Sequence, residues 1–285
     1  MKKKYTIAFI GCGSLVLALA PQLQQAGYAV EEIVVRDRPA ARRRAAQLAR
    51  RVGARVSSFD EAALAADLLW FGVSDSAIAQ CAAQLSVRRK SWKGTLVLHS
   101  SGALTSDALA PFTARGAGVA SLHPMMTFVR TSAPPLAGVG FAAEGAPRAL
   151  TATKAIVRDL GGRWFRIARQ AKTLYHAWGA FSSPLLIMEL ALAESVARGA
   201  GIAAPAARRI MEPIVRRTID NYFARGAAAS FSGPLVRGDV ATIVQHLAAL
   251  KRIPGARDVY RALAHSALLT LPVGERAALR RLLKK

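Results

Sequence analysis

The chain has 285 residues, of which 52% are hydrophobic, and this content excludes a wholly disordered protein. Its two cysteines are too few for a disulfide framework and are typical of a reducing compartment, so a cytoplasmic location is expected. The formal net charge of +23 is what a nucleic-acid binder would show. The basic residues are dispersed, however, and are not interleaved with aromatic residues. We therefore interpret the arginines as solvated surface and expect no nucleic-acid partner.

The first 22 residues allow two interpretations. Three lysines, an apolar run and the small residues at 18–20 are typical of a secretory signal. The same letters are also typical of the first strand, glycine turn and helix of a nucleotide-binding domain. Because the alternation of strands and helices continues well past residue 100, the second interpretation is favoured. Later apolar stretches, such as 177–193, are interrupted by polar residues and proline, so no membrane span is expected.

Short apolar runs alternate with stretches of helical composition through the first half of the chain. This alternation predicts βαβ units and a parallel sheet whose strands are covered on both faces. From Gln170 onward the composition is helical. The sequence therefore predicts an α/β fold, with a Rossmann-like parallel-sheet domain over residues 1–160 and an all-α domain over residues 161–285. The predicted strands are TIAFIG, EEIVV, DLLWFGV, TLVLHS and GVASLH, then the pair GVGFAAEG and RWFRIA, with helices at 15–26, 40–52, 76–86 and 106–114.

A glycine turn lies between the first predicted strand and helix. Gly11 would allow the tight turn, and Gly13 would let the backbone approach a pyrophosphate. The amides of Ser14 and Leu15, at the start of the helix, would hold the phosphates. Val16 stands where a third glycine normally allows close packing of helix on strand. Its presence predicts a wider gap or a shifted pyrophosphate.

The residues after the second strand indicate NADP as the cofactor. An acidic residue at this point binds the ribose 2′-hydroxyl of NAD, whereas arginine accommodates a 2′-phosphate. Arg36 and Arg38 are predicted to bind that phosphate, because guanidinium groups bind phosphate bidentately. These arginines could also be surface residues, and Asp37 could contact an adenosine ribose.

Further contacts to the cofactor are predicted at the ends of later strands. Val73 and Ser74 would lie beside the nicotinamide ribose, and Ser74 or the following residue would cap the next helix. Ser100 and Ser101 are predicted to hold the nicotinamide carboxamide or a small substrate.

Three residues are candidates for catalysis. His123 follows a strand, so it is expected at the carboxyl edge of the sheet, where open α/β folds bind ligands. Lys172 and His176 are four residues apart and would share one helix face. A histidine or lysine there would donate a proton or polarise the substrate during hydride transfer. Each of the three could instead be a structural contact, and Tyr175 is interpreted as a core residue.

Two other residues are candidates for substrate binding. His99 ends the fifth predicted strand, and Arg237 could bind an anionic substrate or pair with Asp239. Asp239 is placed to cap the next helix, which would make its motif largely structural. The spacing of histidines and cysteines is not that of a metal site, so no metal is expected.

Four segments carry a resemblance to a known family. HSSGAL (99–104), SLHPMMTF (121–128), KTLYH (172–176) and FSGPLVRGD (231–239) occur in the order found in a bacterial family. Its members join a Rossmann-like NADP-binding domain to an all-helical domain of unknown function. The layout is more distantly similar to reductases of the ketopantoate, pyrroline-carboxylate and 6-phosphogluconate type and to prephenate dehydrogenases, in which an HPM-like segment carries a catalytic histidine. Pro184 departs from the family, which usually has asparagine there.

The resemblance implies an NADP-dependent oxidoreductase that dimerises through its helical domain. The expected substrate is a small, carboxylated carbonyl or imine compound bound between the domains. A deazaflavin could take the place of a carbon substrate. Val16 and Pro184 favour the alternative of a non-catalytic protein that binds or senses NADP, and the net charge alone favours the more remote alternative of a nucleic-acid binder.

Overall fold

An eight-stranded sheet forms the centre of the first part of the chain in the computed structural model, which describes residues 4–129 and 133–284. Its strand order is β3-β2-β1-β4-β5-β6-β7-β8, and neighbouring strands are parallel except β6 and β7, which are antiparallel. The strands are β1 (Thr6–Ile10), β2 (Ala29–Val34), β3 (Arg55–Ser57), β4 (Leu68–Phe71), β5 (Leu96–His99), β6 (Gly118–Pro124), β7 (Gly140–Gly145) and β8 (Arg163–Arg166).

Helices cover both faces of this sheet. Along β1, Phe9 packs into one buried cluster and Ile10 into another, because successive side chains of a strand point to opposite faces. Strands buried on both sides are apolar throughout, which is why the apolar runs predicted them correctly. The predicted fold class is confirmed. The helices are α1 (Ser14–Gln25), α2 (Pro39–Val52), α3 (Asp75–Ser86), α4 (Ala110–Thr113), α5 (Pro147–Asp159) and α6 (Lys172–Ser182).

The short strand β3 was not predicted, since three residues with one arginine give no apolar run. It is anchored by Glu32, a buried carboxylate in β2. Burial alone would raise the pKa of Glu32, but hydrogen bonds from the Ser57 hydroxyl and the amides of Leu64 and Ala63 bring this pKa below its usual value. The carboxylate thereby holds the segment after β3 against the sheet.

The chain divides into two compact units, Met1–Ser183 and Pro184–Lys285. The first unit runs past the boundary predicted at residue 160 for two physical reasons. Strand β8 pairs with β7, and α6 contacts the ends of the strands through Lys172 and Tyr175. Residues 161–183 are therefore part of the sheet-containing unit.

The second unit is helical, as predicted. Its core contains Ile243, Leu247, Leu268 and Leu279. Gly226 interrupts the long helix α8 with non-helical angles (φ 77°, ψ 173°). The helices are α7 (Pro184–Gly199), α8 (Ala204–Ser230), α9 (Pro234–Arg237), α10 (Val240–Ala249), α11 (Ala256–Thr270) and α12 (Arg276–Lys284).

One stretch of the described residues, Arg169–Gly199, is long and apolar enough to cross a membrane by length and composition, which the sequence analysis did not anticipate. The backbone leaves the helical conformation at Ser183 (φ −137°, ψ −79°), so the stretch contains two separate α-helices, α6 with 11 residues and α7 with 16. Each helix is shorter than the roughly 20 residues that a span requires. The stretch is therefore weak evidence for a membrane protein.

Candidate functional site

The turn between β1 and α1 has the geometry of a phosphate-binding loop. Gly11 adopts a left-handed conformation (φ 100°), and a Cβ there would lie 2.7 Å from Val73 Cγ1 and 2.9 Å from the Gly72 carbonyl oxygen. Gly13 precedes the first residue of α1, and among the described residues no side chain caps this helix. The amides of Ser14 and Leu15 therefore lie in the first turn of an uncapped helix, which is suited to an anion.

Val16 is accommodated by a second glycine across the turn. The valine side chain is fully buried, and a Cβ on Gly72 would lie only 2.1 Å from Val16 Cγ2. The small residue that close packing requires is therefore at the end of β4 instead of in α1. Because Gly72 provides the space, α1 packs closely on the sheet without the wider gap that Val16 predicted.

Arg36 and Arg38 line a pocket of about 390 Å³ beyond the end of β2. Ser58, Phe59 and Cys81 also line it. The two predicted phosphate-binding arginines are thus brought together beside a cavity. The pocket has both cationic and aromatic walls.

Asp37 also lines this pocket, but its charge is paired. Arg42 Nε lies 2.6 Å from Asp37 Oδ1, and Arg42 Nη2 lies 3.3 Å from Glu61 Oε2. Arg42 therefore binds two carboxylates. Without this partner, the Asp37 carboxylate would repel a phosphate in the pocket. The Arg42 guanidinium offsets that negative charge.

Val73 and Ser74 follow β4 on the same carboxyl edge as the glycine turn. Val73 faces Gly11, and Ser74 precedes the first residue of α3. The Ser74 hydroxyl forms no capping hydrogen bond among the described residues and lies 3.3 Å from the Ser76 hydroxyl. The helix cap predicted at Ser74 is therefore absent among the described residues.

The segment after β5 is held by an internal hydrogen-bond network. His99 is fully buried, and its Nδ1 accepts a hydrogen bond from the Ser101 amide (3.1 Å), so Nε2 donates to the Thr105 carbonyl (2.9 Å). Burial lowers the pKa of His99 to about 4, which keeps the ring neutral. Both ring nitrogens bind the loop. The structure places this predicted substrate contact beneath the surface.

The two serines after His99 are also engaged. Ser100 Oγ accepts a hydrogen bond from Trp70 Nε1 at 2.8 Å. Ser101 Oγ donates to Asp75 Oδ2 at 2.6 Å and accepts from the Leu104 amide at 2.9 Å. These contacts join the end of β5 to the start of α3. They fix the loop that leads to Gly102.

Lys172 lies beneath this loop. Its side chain is buried, and Nζ donates to the Ser101 carbonyl (2.6 Å) and to Ser121 Oγ (2.5 Å). Burial lowers the pKa of Lys172 to about 8, an effect that the charges of Glu144 and Asp75 partly offset. The ammonium therefore links β5, β6 and α6 at the point where the two strands end.

His123 and His176 meet at Gly102. A Cβ on Gly102 would lie 2.6 Å from His176 Cδ2 and 2.9 Å from His123 Nε2. His176 is exposed, whereas burial and then the positive charge of Lys172 lower the pKa of His123 to about 4. Two of the predicted catalytic residues thus meet at Gly102, and the third, Lys172, binds the carbonyl of the adjacent Ser101. His123 is held as a neutral imidazole.

Tyr175 is a neighbour of this cluster that the sequence analysis assigned to the core. It is buried, and its hydroxyl lies 2.7 Å from His123 Nδ1. The spacing from Lys172 to Tyr175 is three residues, which places both on one side of α6. This spacing was the signal in the sequence that could have placed Tyr175 beside Lys172. The contact itself depends on β6, which no local pattern reveals.

The GPLVRGD motif lies in the second unit. Asp239 caps α10 by accepting hydrogen bonds from the Thr242 amide (3.1 Å) and hydroxyl (2.6 Å), as its position indicated. Gly238 ends α9 in the left-handed conformation. These residues have structural roles, while Arg237 is exposed. Among the described residues, no group of three histidine, cysteine or acidic side chains is arranged to hold a metal.

Comparison with family models agrees with this geometry. Residues 1–124 match the model of Rossmann-like domains, and residues 139–267 match that of a domain of unknown function, DUF2520. The fold and the glycine turn define the first unit as a Rossmann-like domain. The two matches follow the order of domains found in the family that the motifs resemble, and each covers less than half of the chain. A search of curated proteins finds no match.

Solved structures similar to the chain share its fold at low sequence identity. Protein BF3122 from Bacteroides fragilis is 21% identical over 92% of this chain and 97% of its own, with a TM-score of 0.76. An imine reductase from Myxococcus stipitatus in complex with NADP⁺ is 18% identical over 98% of this chain and 99% of its own, with a TM-score of 0.68. A reductive aminase from Aspergillus terreus, in complex with NADPH and ethyl-5-oxohexanoate, is 16% identical over 98% and 100%, with a TM-score of 0.66.

Proposed function

We propose that the protein is a cytoplasmic, NADP-dependent oxidoreductase that acts on a small, carboxylated carbonyl or imine compound. The observation that carries the proposal is the placement of three features on one carboxyl edge of the sheet. These are the glycine turn, the arginine pocket, and the cluster of His123, Lys172 and His176. Open α/β folds bind ligands at this edge. The complexes of similar folds with NADP⁺ and NADPH support the choice of cofactor.

The glycine turn and the arginine pocket would hold the cofactor. The amides of Ser14 and Leu15 suit its pyrophosphate, and Arg36 and Arg38 suit the 2′-phosphate of NADP. NADPH, when bound, supplies the hydride. The ion pair between Asp37 and Arg42 supports the preference for NADP, because it reduces repulsion of a 2′-phosphate.

His123 is the group best placed to stabilise negative charge on a substrate. A neutral imidazole can donate one hydrogen bond to a carbonyl oxygen or imine nitrogen as charge develops there. Lys172 is buried and engaged with Ser101 and Ser121, so its geometry supports a positioning role behind the strand ends. The net charge of +23 supports an anionic substrate, since a positive field concentrates anions near the protein.

Calorimetric titration with NADPH and NADH tests the cofactor. We expect Arg36→Ala to weaken NADPH binding at least tenfold, about 1.4 kcal/mol, and to leave NADH binding unchanged, because only NADPH carries the 2′-phosphate. Arg50→Ala is the matched control, since Arg50 is exposed in the last turn of α2 and does not line the pocket. Failure of the wild type to bind either nucleotide would overturn the proposal.

Oxidation of NADPH in the presence of 2-oxo acids and cyclic imines tests the reaction. His123→Ala is expected to remove turnover while NADPH still binds. If the wild type binds NADPH but oxidises it with no member of the panel, the protein is better described as a non-catalytic NADP-binding protein.

We also propose that the helical unit pairs with a second copy of the chain. Among the described residues of α8, Ala207 is the one that is buried, whereas Ile210, Ile214 and Phe223 are 65%, 68% and 81% exposed. Burying each of these side chains would contribute about 1.5–3 kcal/mol. In a symmetric pair of identical chains, the same residue is buried in both copies, so this contribution is made twice. The dimer implied by the family resemblance supports this choice of partner.

Light scattering tests the pairing. The wild type is expected at twice the mass of one chain, and Ile214→Glu is expected to yield the single chain because the new carboxylate could not be buried unpaired in an interface on α8. Arg216→Gln, two residues away on the same helix, should leave the mass unchanged. A wild type with the mass of one chain would contradict the proposal.

A further inference from the structure

We propose that Tyr175 is a positioning residue that fixes the tautomer of His123, so that this histidine carries its single ring proton on Nε2, the nitrogen that lies beside Gly102. The inference rests on the proposed function for its consequence in catalysis. The hydrogen bond between Tyr175 and His123 does not depend on the proposed function. Tyr175 would then determine which nitrogen of His123 meets the substrate.

The phenol of Tyr175 is rigidly placed. Its hydroxyl lies 2.7 Å from His123 Nδ1, and the two rings meet edge to face at 86°, with centroids 5.5 Å apart. Phe165 and Trp178 pack against the phenol with centroid distances of 6.2 Å and 6.0 Å. With aromatic rings on several sides, the hydroxyl has little freedom to leave Nδ1.

The direction of the hydrogen bond follows from the alternatives. A neutral imidazole carries one N–H. If Nδ1 carried it, Nδ1–H would donate to the tyrosine oxygen, and the hydroxyl would have to donate to the His123 carbonyl, which is 3.5 Å away. A hydroxyl that donates to the carbonyl would do so at 3.5 Å, which is long for an O–H···O hydrogen bond, whereas a hydroxyl that donates to Nδ1 does so at 2.7 Å. The geometry therefore favours a tyrosine O–H that donates to Nδ1.

The protonation states of both groups agree with this direction. Burial raises the pKa of Tyr175 to about 12, so the hydroxyl keeps its proton at neutral pH. Burial, with the positive charge of Lys172, lowers the pKa of His123 to about 4, so the imidazole stays neutral. The single ring proton of His123 is then on Nε2. The same tautomer is present at His99, where a backbone amide donates to Nδ1.

Because Tyr175 engages Nδ1, Nε2 is the ring nitrogen of His123 that is left to act on a substrate. A Cβ on Gly102 would lie 2.9 Å from Nε2, so this nitrogen packs closely on the Gly102 backbone, and the absence of a side chain there is what lets the ring lie so near. A donor held there can stabilise charge on a carbonyl oxygen or imine nitrogen without reorganising during the reaction. The opposite tautomer would present a lone pair to the same atom and repel it.

Nitrogen NMR of the histidine rings in the full chain tests the proposal. In the wild type, His123 is expected to carry its proton on Nε2, with its signals assigned by comparison with His123→Ala. In Tyr175→Phe the ring is expected to populate both tautomers, and kcat is expected to fall at least tenfold with the KM for NADPH unchanged.

Tyr260→Phe is the matched control. The Tyr260 hydroxyl lies 3.1 Å from His246 Nδ1, so the substitution removes the same kind of hydrogen bond in the helical unit. It should change the signals of His246 and leave those of His123 and the turnover unchanged.

The outcomes separate this proposal from the proposed function. A wild-type His123 protonated on Nδ1, or ring signals that Tyr175→Phe leaves unchanged, would overturn the positioning role whether or not the protein oxidises NADPH. A tautomer shift without loss of kcat would overturn its part in the reaction. If the wild type never oxidises NADPH, the proposed function fails, and the NMR result still decides which tautomer Tyr175 selects.

Discussion

Gly102→Ala is expected to lower kcat at least a hundredfold while NADPH binding stays within twofold of the wild type. The added Cβ would lie 2.6 Å from His176 Cδ2 and 2.9 Å from His123 Nε2. Both distances are shorter than a van der Waals contact between two such atoms. His123 is held from the other side by Tyr175, so the clash must move a ring out of position. A displacement of about 1 Å at a reacting group can reduce the rate about a hundredfold.

Steady-state kinetics and calorimetry on the same preparation check this result. Gly179→Ala is the control, since a Cβ there would meet only the flexible Met125 side chain, at 3.3 Å, and alanine favours a helix. It should retain the wild-type kcat. Wild-type kcat in Gly102→Ala would show that the two histidines do not act at this glycine.

Gly72→Ala is expected to lower the free energy of unfolding by about 3 kcal/mol, because overpacking of a tight interior costs about this much. The new methyl group would lie 2.1 Å from Val16 Cγ2, inside a fully buried contact between α1 and the end of β4. Val16→Ala alone would leave a cavity and lower stability by about 2 kcal/mol. The double variant should be more stable than Gly72→Ala, since Val16 Cβ is 3.6 Å from the position of the new atom.

Urea unfolding of the four proteins in this cycle measures the coupling between the two positions. A coupling that favours the double variant by more than about 1 kcal/mol is expected for side chains in contact. Additive effects, or a Gly72→Ala variant as stable as the wild type, would contradict the close packing of Val16 on Gly72.

The sheet could be predicted because its physical requirement is local in the sequence. A strand such as β4 is buried on both faces, so all four of its residues are apolar and the run is visible in the letters. The glycine turn and the helix cap at Asp239 were visible for the same reason, since each depends on neighbours within a few residues. Strand β3 was missed because its stability depends on Glu32, a buried carboxylate far away in the sequence.

The site was predictable in its members but not in their arrangement. His123 was identified from its place at a strand end, and Lys172 and His176 from their helical spacing; the structure places the three near one another. Burial of the Lys172 ammonium and the contact of Tyr175 with His123 both depend on the packing of α6 against β5 and β6. The space that Gly72 leaves for Val16 is likewise a property of two distant positions. A pattern within one segment carries no information about such contacts.

The pairing of Asp37 with Arg42 changes how the end of β2 should be interpreted in related sequences. Taken alone, Asp37 is a signature of NAD and the preceding Arg36 is a signature of NADP, so two adjacent positions give opposite answers. The electrostatic potential at the pocket also depends on whether the residue five positions after Asp37, here Arg42 in the first turn of α2, is basic. Cofactor preference in such sequences is then better inferred from the three positions together than from the residue after the strand.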